Sequence, residues 1–364
     1  MKKDDIKNIK QLLATPKQIV IVPHKNPDGD AIGSTLGLYH YLLKHKHQAT
    51  VIAPNDYPDF LKWMPEEPKI LKYDSQKEPS DMLIAKADII FTLDFNALNR
   101  TGDMEDALSA SDAIKIMIDH HQEPENYAVY SYSDVSMSST CEMVYNFIDM
   151  LGDKNLINEA IASCLYAGIL TDTGSFRFPS TTSKTHEVAG YLIDKGANHS
   201  EIYNQIFDNN SYERLQLLGR ALSNLKVLPE YRTAYITLSQ DELNEYNFKK
   251  GDTEGFVNYG LSLNNIIFAA IFIEDTQNNI IKISLRSKGS FSVNEFCLAV
   301  IARPVTPKGL NTSKVRHFTY RHDEITATLT VWVRNGDPKY RAVVTDVRWS
   351  RLRLPRRRLL PASP

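Results

Sequence analysis

Short apolar runs alternate with amphipathic segments over the first half of the chain. Four runs have the length of buried strands, and they lie at residues 18–23, 49–53, 88–94 and 114–119. Helical periodicity fills the segments between them, which is typical of successive βαβ units. We therefore predict an α/β fold with a mostly parallel sheet and helices on both faces.

The pattern changes in the second half of the chain. Helical periodicity continues at residues 155–171, 182–194 and 211–223, and the last of these segments predicts a connecting helix. Three further strands are predicted near residues 232–238, 266–274 and 280–286, with a helix around 253–263. This order predicts a second, smaller α/β domain.

Composition indicates an ordinary globular protein, because 42% of the residues are hydrophobic and 24% are charged. The three cysteines have no paired spacing, which argues against a disulfide framework and against a thiolate zinc site. Any metal would therefore have oxygen and imidazole ligands. The charged segment MKKDDIKNIK has no apolar core, and no stretch approaches the roughly 18 apolar residues of a membrane span. We expect a cytoplasmic protein that does not bind membranes.

The charge of the chain changes abruptly near residue 296. Residues 1–296 hold 28 lysines and arginines against 40 aspartates and glutamates, whereas residues 297–364 hold 14 against 4. Arginine changes most, with six in the first part and eleven in the second. Two different compositions are therefore joined at this point.

The stretch VPHKNPDGDAIGS places His24, Asp28 and Asp30 directly after the apolar run at residues 18–22. In open α/β sheets, ligands bind beyond the carboxyl ends of the strands, so this location favours a binding site. A tight turn at residues 26–29 with Asp30 as a helix cap would explain most of the stretch without any chemistry. It would not explain His24 and the second aspartate, and both interpretations stay open on this stretch alone.

Three more acidic clusters end apolar segments. They are Asp94 in IIFTLDF, the triplet Asp119, His120 and His121 in IKIMIDHH, and Asp172 in AGILTDTGSFRF. A single acid at such a position is ordinarily a helix cap or a solvated terminus, but four clusters at corresponding ends are harder to explain in that way. Carboxylates and imidazoles without thiolates suit Mn²⁺ or Mg²⁺, and a shared carboxylate can hold two ions about 3.5–4 Å apart. The set predicts a hydrolytic metal centre.

In this order and at these positions, the clusters resemble the four motifs of the DHH phosphoesterase superfamily. Residues 1 to about 296 resemble its subfamily of bacterial oligoribonucleases, the nanoRNases, which also act as phosphatases on 3'-phosphoadenosine 5'-phosphate. FVNYGLSL and SLRSKGSFSVNEF extend the resemblance into a DHHA1-type substrate-binding domain. The resemblance implies a DHH catalytic domain at 1–195, a helical linker at 196–223, a partial substrate-binding domain at 224–296 and a divergent basic tail at 297–364.

The resemblance also implies two divalent ions, with Mn²⁺ favoured and Mg²⁺ as the alternative. One ion would bind His24, Asp28 and Asp94, and a second would bind Asp30, Asp94, His120 and Asp172. His121 would lie beside the substrate phosphate or the leaving group, where an imidazole can donate a proton, although a structural role for this histidine is an equal alternative. Asp119 would orient a neighbouring histidine.

In such a domain Arg286 and Ser287 would bind the substrate phosphate or nucleotide; an arginine after a strand is otherwise an ordinary surface residue. The implied substrates are short RNA oligonucleotides, cleaved to mononucleotides, and 3'-phosphoadenosine 5'-phosphate. A homodimer is an expected assembly. Two alternative functions stay open, namely an exopolyphosphatase or pyrophosphatase and an inactive nucleotide-binding protein.

The resemblance ends where the composition changes. After SVNEF the family continues to a glycine-rich GGGH motif, and this chain contains no GGGH. A frameshift near codon 296 would explain both the lost motif and the arginine-rich tail. The alternative is a fused basic extension that binds nucleic acid, since clustered lysine and arginine bind phosphates without sequence preference. The interruption of a family domain favours the frameshift, and the missing motif predicts impaired substrate binding.

Overall fold

The computed structural model describes residues 1–277, 280–289, 293, 314–322, 325–333 and 342–351, and it forms two compact units that divide between residues 209 and 210. Elements of the first unit are α1 (Lys3–Leu12), β1 (Gln18–Val22), α2 (Gly29–Lys44), β2 (Gln48–Ala53), β3 (Leu71–Lys72), α3 (Lys77–Lys86), β4 (Ile89–Leu93), α4 (Glu105–Ala110), β5 (Ile114–Asp119), β6 (Tyr130–Ser133), α5 (Thr140–Met150), α6 (Glu159–Asp172), α7 (Ser183–Asp194) and α8 (His199–Phe207). Within the described residues, no helix combines the length and hydrophobicity that crossing a membrane requires.

The sheet of the first unit has the strand order β3-β2-β1-β4-β5-β6, and all its pairings are parallel. The four strands that the apolar runs predict are β1, β2, β4 and β5, and their observed bounds agree within one or two residues. The two edge strands, β3 and β6, were not predicted. Their two and four residues are too short to produce a pattern that differs from a loop.

Side chains of the central strands alternate between two apolar layers. In β1, Ile19 and Ile21 pack into the larger core with α2, α5 and α6, whereas Val20 and Val22 pack into a smaller core with α3 and α4. Successive side chains of a strand point to opposite faces, so a strand covered on both faces has a continuous apolar sequence. The predicted α/β class with helices on both faces is confirmed.

The second unit contains α9 (Tyr212–Ser223), β7 (Lys226–Leu228), β8 (Thr233–Leu238), α10 (Gln240–Glu245), α11 (Phe256–Ser262), β9 (Phe268–Asp275), β10 (Ile280–Ser287), β11 (Lys314–His322), β12 (Ile325–Val333) and β13 (Ala342–Arg351). A mixed sheet has the order β10-β9-β8-β7, and α9, α10 and α11 contribute to its apolar core. The last three strands form a separate antiparallel sheet. The helices and strands predicted between residues 211 and 286 are confirmed.

The change of composition at residues 296 and 297 lies outside the described residues. Apolar and polar residues alternate in the segments ITATLTVWVR and YRAVVTDVRW, and these segments coincide largely with β12 and β13. The four proposed domain ranges, the frameshift and the basic nucleic-acid-binding extension stay predictions.

Candidate metal centre

The predicted site lies where the connections of the parallel sheet change direction. Strands β1 and β4 are neighbours, but β1 is followed by β2 on one side of the sheet and β4 by β5 on the other. The loops after two such strands diverge and leave a crevice at their carboxyl ends. His24 and Asp28 follow β1, Asp94 follows β4, and His120 follows β5. The topology therefore brings residues from distant parts of the sequence to one edge.

His24 presents one ring nitrogen to two carboxylates. Its Nδ1 lies 2.8 Å from the carbonyl oxygen of Lys25, which favours the tautomer with a proton on Nδ1 and a lone pair on Nε2. Nε2 lies 3.5 Å from Asp94 Oδ2 and 3.9 Å from Asp28 Oδ2. An imidazole that donates to a backbone carbonyl and directs its other nitrogen at carboxylates has the arrangement of a metal ligand.

Asp28 caps the start of α2, and this corrects the turn interpretation of the stretch, in which Asp30 is the cap. Its Oδ1 accepts hydrogen bonds from the backbone N–H groups of Asp30 and Ala31, both at 3.1 Å, so Asp28 is the N-cap of α2. The turn interpretation, one of the two left open by the sequence, made Asp30 the cap, but Asp30 lies within the first turn of α2, where it is buried. Asp28 Oδ2 takes no part in these two bonds and faces His24.

Asp94 joins the two halves of the cluster. Its φ of +67° is in the left-handed region, which an aspartate tolerates better than most residues but which still indicates a local constraint. Oδ2 faces His24, whereas Oδ1 lies 3.5 Å from His120 Nε2 and 3.8 Å from His121 Nδ1. Each oxygen of Asp94 therefore faces a different histidine, as a bridging carboxylate requires.

A second group forms around His120. Its Nε2 lies 3.6 Å from Asp172 Oδ2 and 3.9 Å from Asp30 Oδ2. Asp30 and Asp172 come together because α2 and α6 pack closely, and a Cβ atom at Gly33 would lie only 2.5 Å from the carbonyl oxygen of Cys164. Asp172 ends α6, where the helix dipole disfavours a negative charge, so its placement suits a cation site.

Asp119 and His121 form a separate pair beside the cluster. Asp119, the last residue of β5, is fully buried, and its Oδ1 lies 2.7 Å from His121 Nδ1. This contact favours a proton on Nδ1 and leaves Nε2 available for other partners. His121 is the more exposed of the two histidines that follow β5, with 35% of its side chain exposed against 18% for His120.

The electrostatics of the cluster favour a bound cation or bound protons. Burial lowers the pKa of His24, but the interactions with Asp94, Asp28 and the Lys25 carbonyl together outweigh burial and raise it to about 9. The pKa of His120 rises to about 10, because the charges of Asp94, Asp30 and Asp172 likewise outweigh burial. Burial raises the pKa of Asp94, but the two histidines hold it well below its usual range.

The other three acids, Asp28, Asp30 and Asp172, retain protons more readily, and burial is the main cause of the raised pKa of each. Burial and the negative charge of Asp94 raise the pKa of Asp172 to about 7, and burial together with Asp94 and Asp172 raises the pKa of Asp30 well above its usual range. Among the described residues, no lysine or arginine side chain pairs with these acids. Buried negative charge is costly unless it is compensated, so these carboxyl groups hold protons more tightly than exposed ones do. A bound metal ion would compensate the same charge in place of the protons.

The residues present therefore fit divalent metal ions. Ligand atoms lie within 4.8 Å of one another in three groups, formed by His24, Asp28 and Asp94, by Asp30, His120 and Asp172, and by Asp94, His120 and His121. Their donors are carboxylate oxygens and imidazole nitrogens, a set that suits hard or borderline ions. The structure brings together all six predicted metal ligands and places Asp119 and His121 beside them.

Two predicted residues belong to the other unit. Arg286 and Ser287 are the last residues of β10, and the Arg286 side chain is exposed, with Nη1 donating to the carbonyl oxygen of Leu285 at 2.9 Å. Their role in substrate binding stays a prediction.

Sequence reasoning missed the contribution of α5, whose first turn binds two of the acids. Backbone N–H groups of Thr140 and Cys141 donate to Asp30, and the Thr140 hydroxyl donates to Asp94. The signal for the helix start was present, because Ser139 and Glu142 have the S-x-x-E spacing of a capping box. Nothing in that spacing indicates which distant carboxylates the turn would contact.

The sequence profile of the DHH family, N-terminal domain, matches residues 18–169, a range that ends just before Asp172 and contains the other predicted ligands. The chain belongs to the DHH family, and it is a metal-dependent hydrolase of phosphoester bonds.

Proteins whose names state a function are similar to this protein over most of its length. A bifunctional oligoribonuclease and PAP phosphatase NrnA of Thermus thermophilus is 30% identical over 82% of this chain and 87% of its own length. A probable bifunctional oligoribonuclease and PAP phosphatase NrnA of Streptococcus mutans is 29% identical over 76% and 83%. The crystal structure of an exopolyphosphatase-related protein from Bacteroides fragilis is 42% identical, covers 83% of this chain and 88% of that chain, and superposes with a TM-score of 0.80.

Proposed function

We propose that this protein hydrolyses short oligoribonucleotides to mononucleotides and removes the 3'-phosphate of 3'-phosphoadenosine 5'-phosphate. The observation that carries the proposal is the convergence of two histidines and four aspartates at the β1/β4 crevice. The Thermus thermophilus and Streptococcus mutans relatives, named as oligoribonucleases and PAP phosphatases, support these two substrates.

The proposed ligand sets follow the two halves of the cluster. His24, Asp28 and Asp94 would hold one ion, and Asp30, Asp94, His120 and Asp172 would hold the other. We favour Mn²⁺ because imidazole and carboxylate donors are mixed in both sets, and Mg²⁺ prefers oxygen donors and retained water. Bound divalent ions of this kind lower the pKa of coordinated water and neutralise charge on phosphate oxygens.

His121 would supply the proton for the leaving oxygen. Asp119 holds Nδ1 at 2.7 Å, so the ring is oriented and Nε2 is the atom that can carry a proton toward a substrate. In this proposal Asp119 acts through His121 and has no contact with substrate.

Arg286 and Ser287 would bind the substrate phosphate or nucleotide. An exposed guanidinium at the end of a strand is suited to this role, because it can bind phosphate through two parallel hydrogen bonds. The missing GGGH motif leads us to expect weaker substrate binding than in a relative that has the motif. Homodimerisation and a cytoplasmic location stay predictions, which sedimentation analysis and cell fractionation would test.

The test is hydrolysis of a ribodinucleotide and of 3'-phosphoadenosine 5'-phosphate in Mn²⁺, comparing the chain with Asp94→Ala. We expect turnover of both substrates by the unmodified chain and none by the variant. Binding of nucleotide in saturating Mn²⁺ without turnover would instead identify an inactive nucleotide-binding protein.

Hydrolysis of polyphosphate or pyrophosphate is the second candidate function. The similarity to the exopolyphosphatase-related protein of Bacteroides fragilis supports it. Polyphosphate and pyrophosphate belong in the same assay for this reason. Release of phosphate from either of them, without cleavage of the dinucleotide, would replace the proposed substrates with inorganic ones.

A further inference from the structure

The first turn of α5 contacts carboxylates from two other elements of the fold. The backbone N–H of Thr140 donates to Asp30 Oδ2 at 2.6 Å, and that of Cys141 donates to Asp30 Oδ1 at 2.8 Å. The hydroxyl of Thr140 donates to Asp94 Oδ1 at 3.0 Å. Thr140 is fully buried and is therefore joined to one carboxylate through its backbone and to another through its side chain.

Helix capping does not explain the Thr140 hydroxyl. The N-cap of α5 is Ser139, whose side chain accepts the N–H of Glu142. The two earlier N–H groups of the turn bind Asp30, as unpaired N–H groups at a helix start favour an anion. With these donors satisfied, the hydroxyl has no capping role in this turn, and its partner is Asp94.

Hydrogen bonds of Glu142 also hold the first turn of α5 in position. Glu142 is buried, and its Oε2 accepts hydrogen bonds from Ser138 Oγ at 2.5 Å and from Thr185 Oγ1 at 3.0 Å. Thr185 lies in the first turn of α7, so Glu142 connects the beginnings of two helices. A buried network with satisfied partners is rigid, and it holds Thr140 in a defined position against the two acids.

The hydrogen bond has a directional consequence for Asp94. Oδ1 faces His120 and His121, and one of its lone-pair directions is taken by Thr140. The other lone pair of Asp94 Oδ1 is left for an ion on the His120 side, and Oδ2 faces His24. The hydrogen bond from Thr140 therefore fixes how Asp94 can bridge two ions. Asp30, held through both oxygens, cannot rotate without breaking two hydrogen bonds.

We propose that Thr140 is a positioning residue, whose hydroxyl sets the orientation of Asp94 so that its Oδ1 serves the ion held with Asp30, His120 and Asp172. The inference rests on the metal centre of the proposed function. Groups that orient metal ligands from behind typically change metal affinity by about 10–100-fold when they are removed. We expect a loss of that size for this ion, and little change for the ion on the His24 side.

The experiment compares Thr140→Val, which removes the hydroxyl at nearly constant volume, with Thr140→Ser, which keeps it. The matched control is Thr101→Val, because Thr101 is equally buried and its hydroxyl donates to the carbonyl oxygen of Leu98, outside the cluster. Each protein is freed of metal with a chelator and titrated with Mn²⁺ by calorimetry. Melting temperatures of the metal-free proteins show that each variant is folded.

The expected result is two binding steps in the unmodified protein, with one step weakened about 10–100-fold in Thr140→Val only. The weakened step is the one that Asp172→Asn removes. Equal weakening in Thr140→Val and Thr140→Ser, or two unchanged steps in Thr140→Val, would overturn the inference. If Thr140→Val does not fold, the comparison is made between Thr140→Ala and Thr140→Ser. Absence of any Mn²⁺ binding by the unmodified protein would refute the metal centre itself.

Discussion

The two ligand groups of the centre are built in different ways. The first consists of His24 and Asp28 from one five-residue stretch, together with Asp94, and 47% of the Asp28 side chain is exposed. The second takes Asp30 from α2, His120 from the end of β5 and Asp172 from α6, and Asp30 is 1% exposed. The geometry of the first group therefore depends mainly on the loop between β1 and α2. The geometry of the second group depends on how α2, β5 and α6 pack.

This difference predicts different sensitivities. The first group should tolerate changes in helix packing, because β1 and its loop position two of the three ligands. The second should respond to changes at positions that never touch an ion, since α2, α5 and α6 together set its geometry. Asp94 is common to both groups, so a single substitution at this residue should impair ion binding by both of them.

The largest expected effect is that of Asp94→Ala. Each oxygen of Asp94 faces a different histidine, so its removal should abolish both binding steps and reduce phosphoester hydrolysis below detection. Metal content after dialysis and turnover of a ribodinucleotide measure the two effects. A variant that still binds two ions would show that the groups do not share this carboxylate.

Asp28→Asn and Asp172→Asn should separate the groups. Each substitution keeps the size of the side chain and removes a charge from one group only, so each variant should bind one ion instead of two. Calorimetric titration of both variants with Mn²⁺ gives the number of steps. Loss of the same step in both variants would contradict the division into two groups.

His121→Ala should affect chemistry more than metal binding. Because its Nδ1 is held by Asp119, His121 is better placed to donate a proton than to bind an ion, and its loss should slow turnover by about 10²–10⁴-fold. Measurement of kcat and of bound metal in the same preparation tests this assignment. Metal loss as complete as in Asp94→Ala would make His121 a ligand.

The smallest expected effect is a difference in pH dependence between the two binding steps. Metal ligands must lose their protons, so affinity should fall as the pH falls below the pKa values of about 7 for Asp172, 9 for His24 and 10 for His120. Each displaced proton contributes about tenfold in affinity per pH unit. Since the second group contains both Asp172 and His120, its step should have the steeper slope.

Titrations near pH 6 and near pH 8, each in two buffers of different ionisation enthalpy, count the protons released at each step. If Mn²⁺ affinity changed equally with pH at both binding steps, the two ligand groups would release the same number of protons. The proposed electrostatic difference between them would then be wrong.

Much of the first unit was predictable from its sequence. Strands β1 and β4 contribute apolar side chains to both cores, and the predicted runs match them because helices cover both sides of the sheet. The ends of these strands were equally visible, since a histidine or an aspartate follows each apolar run directly. The positions of the predicted ligands at one edge then follow from parallel pairing.

The errors and omissions concern contacts between elements. The sequence alone left open whether the stretch from His24 to Asp30 is a binding site or a turn at residues 26–29 with Asp30 as the helix cap. Asp28 is the cap because its backbone is extended and its Oδ1 reaches two N–H groups. Asp30 is thereby free to accept the N–H groups of α5, a partner more than 100 residues away.

The sequence by itself determined the class of fold, the donor types and the order of the ligands, because periodicity and residue chemistry are local properties of a chain. Only the tertiary structure decided how the donors are divided, with Asp94 between two histidines and Asp30 held by the first turn of α5. The reason is physical: the orientation of a buried carboxylate depends on which donors surround it. Those donors come from elements that packing brings together, and no local pattern records them.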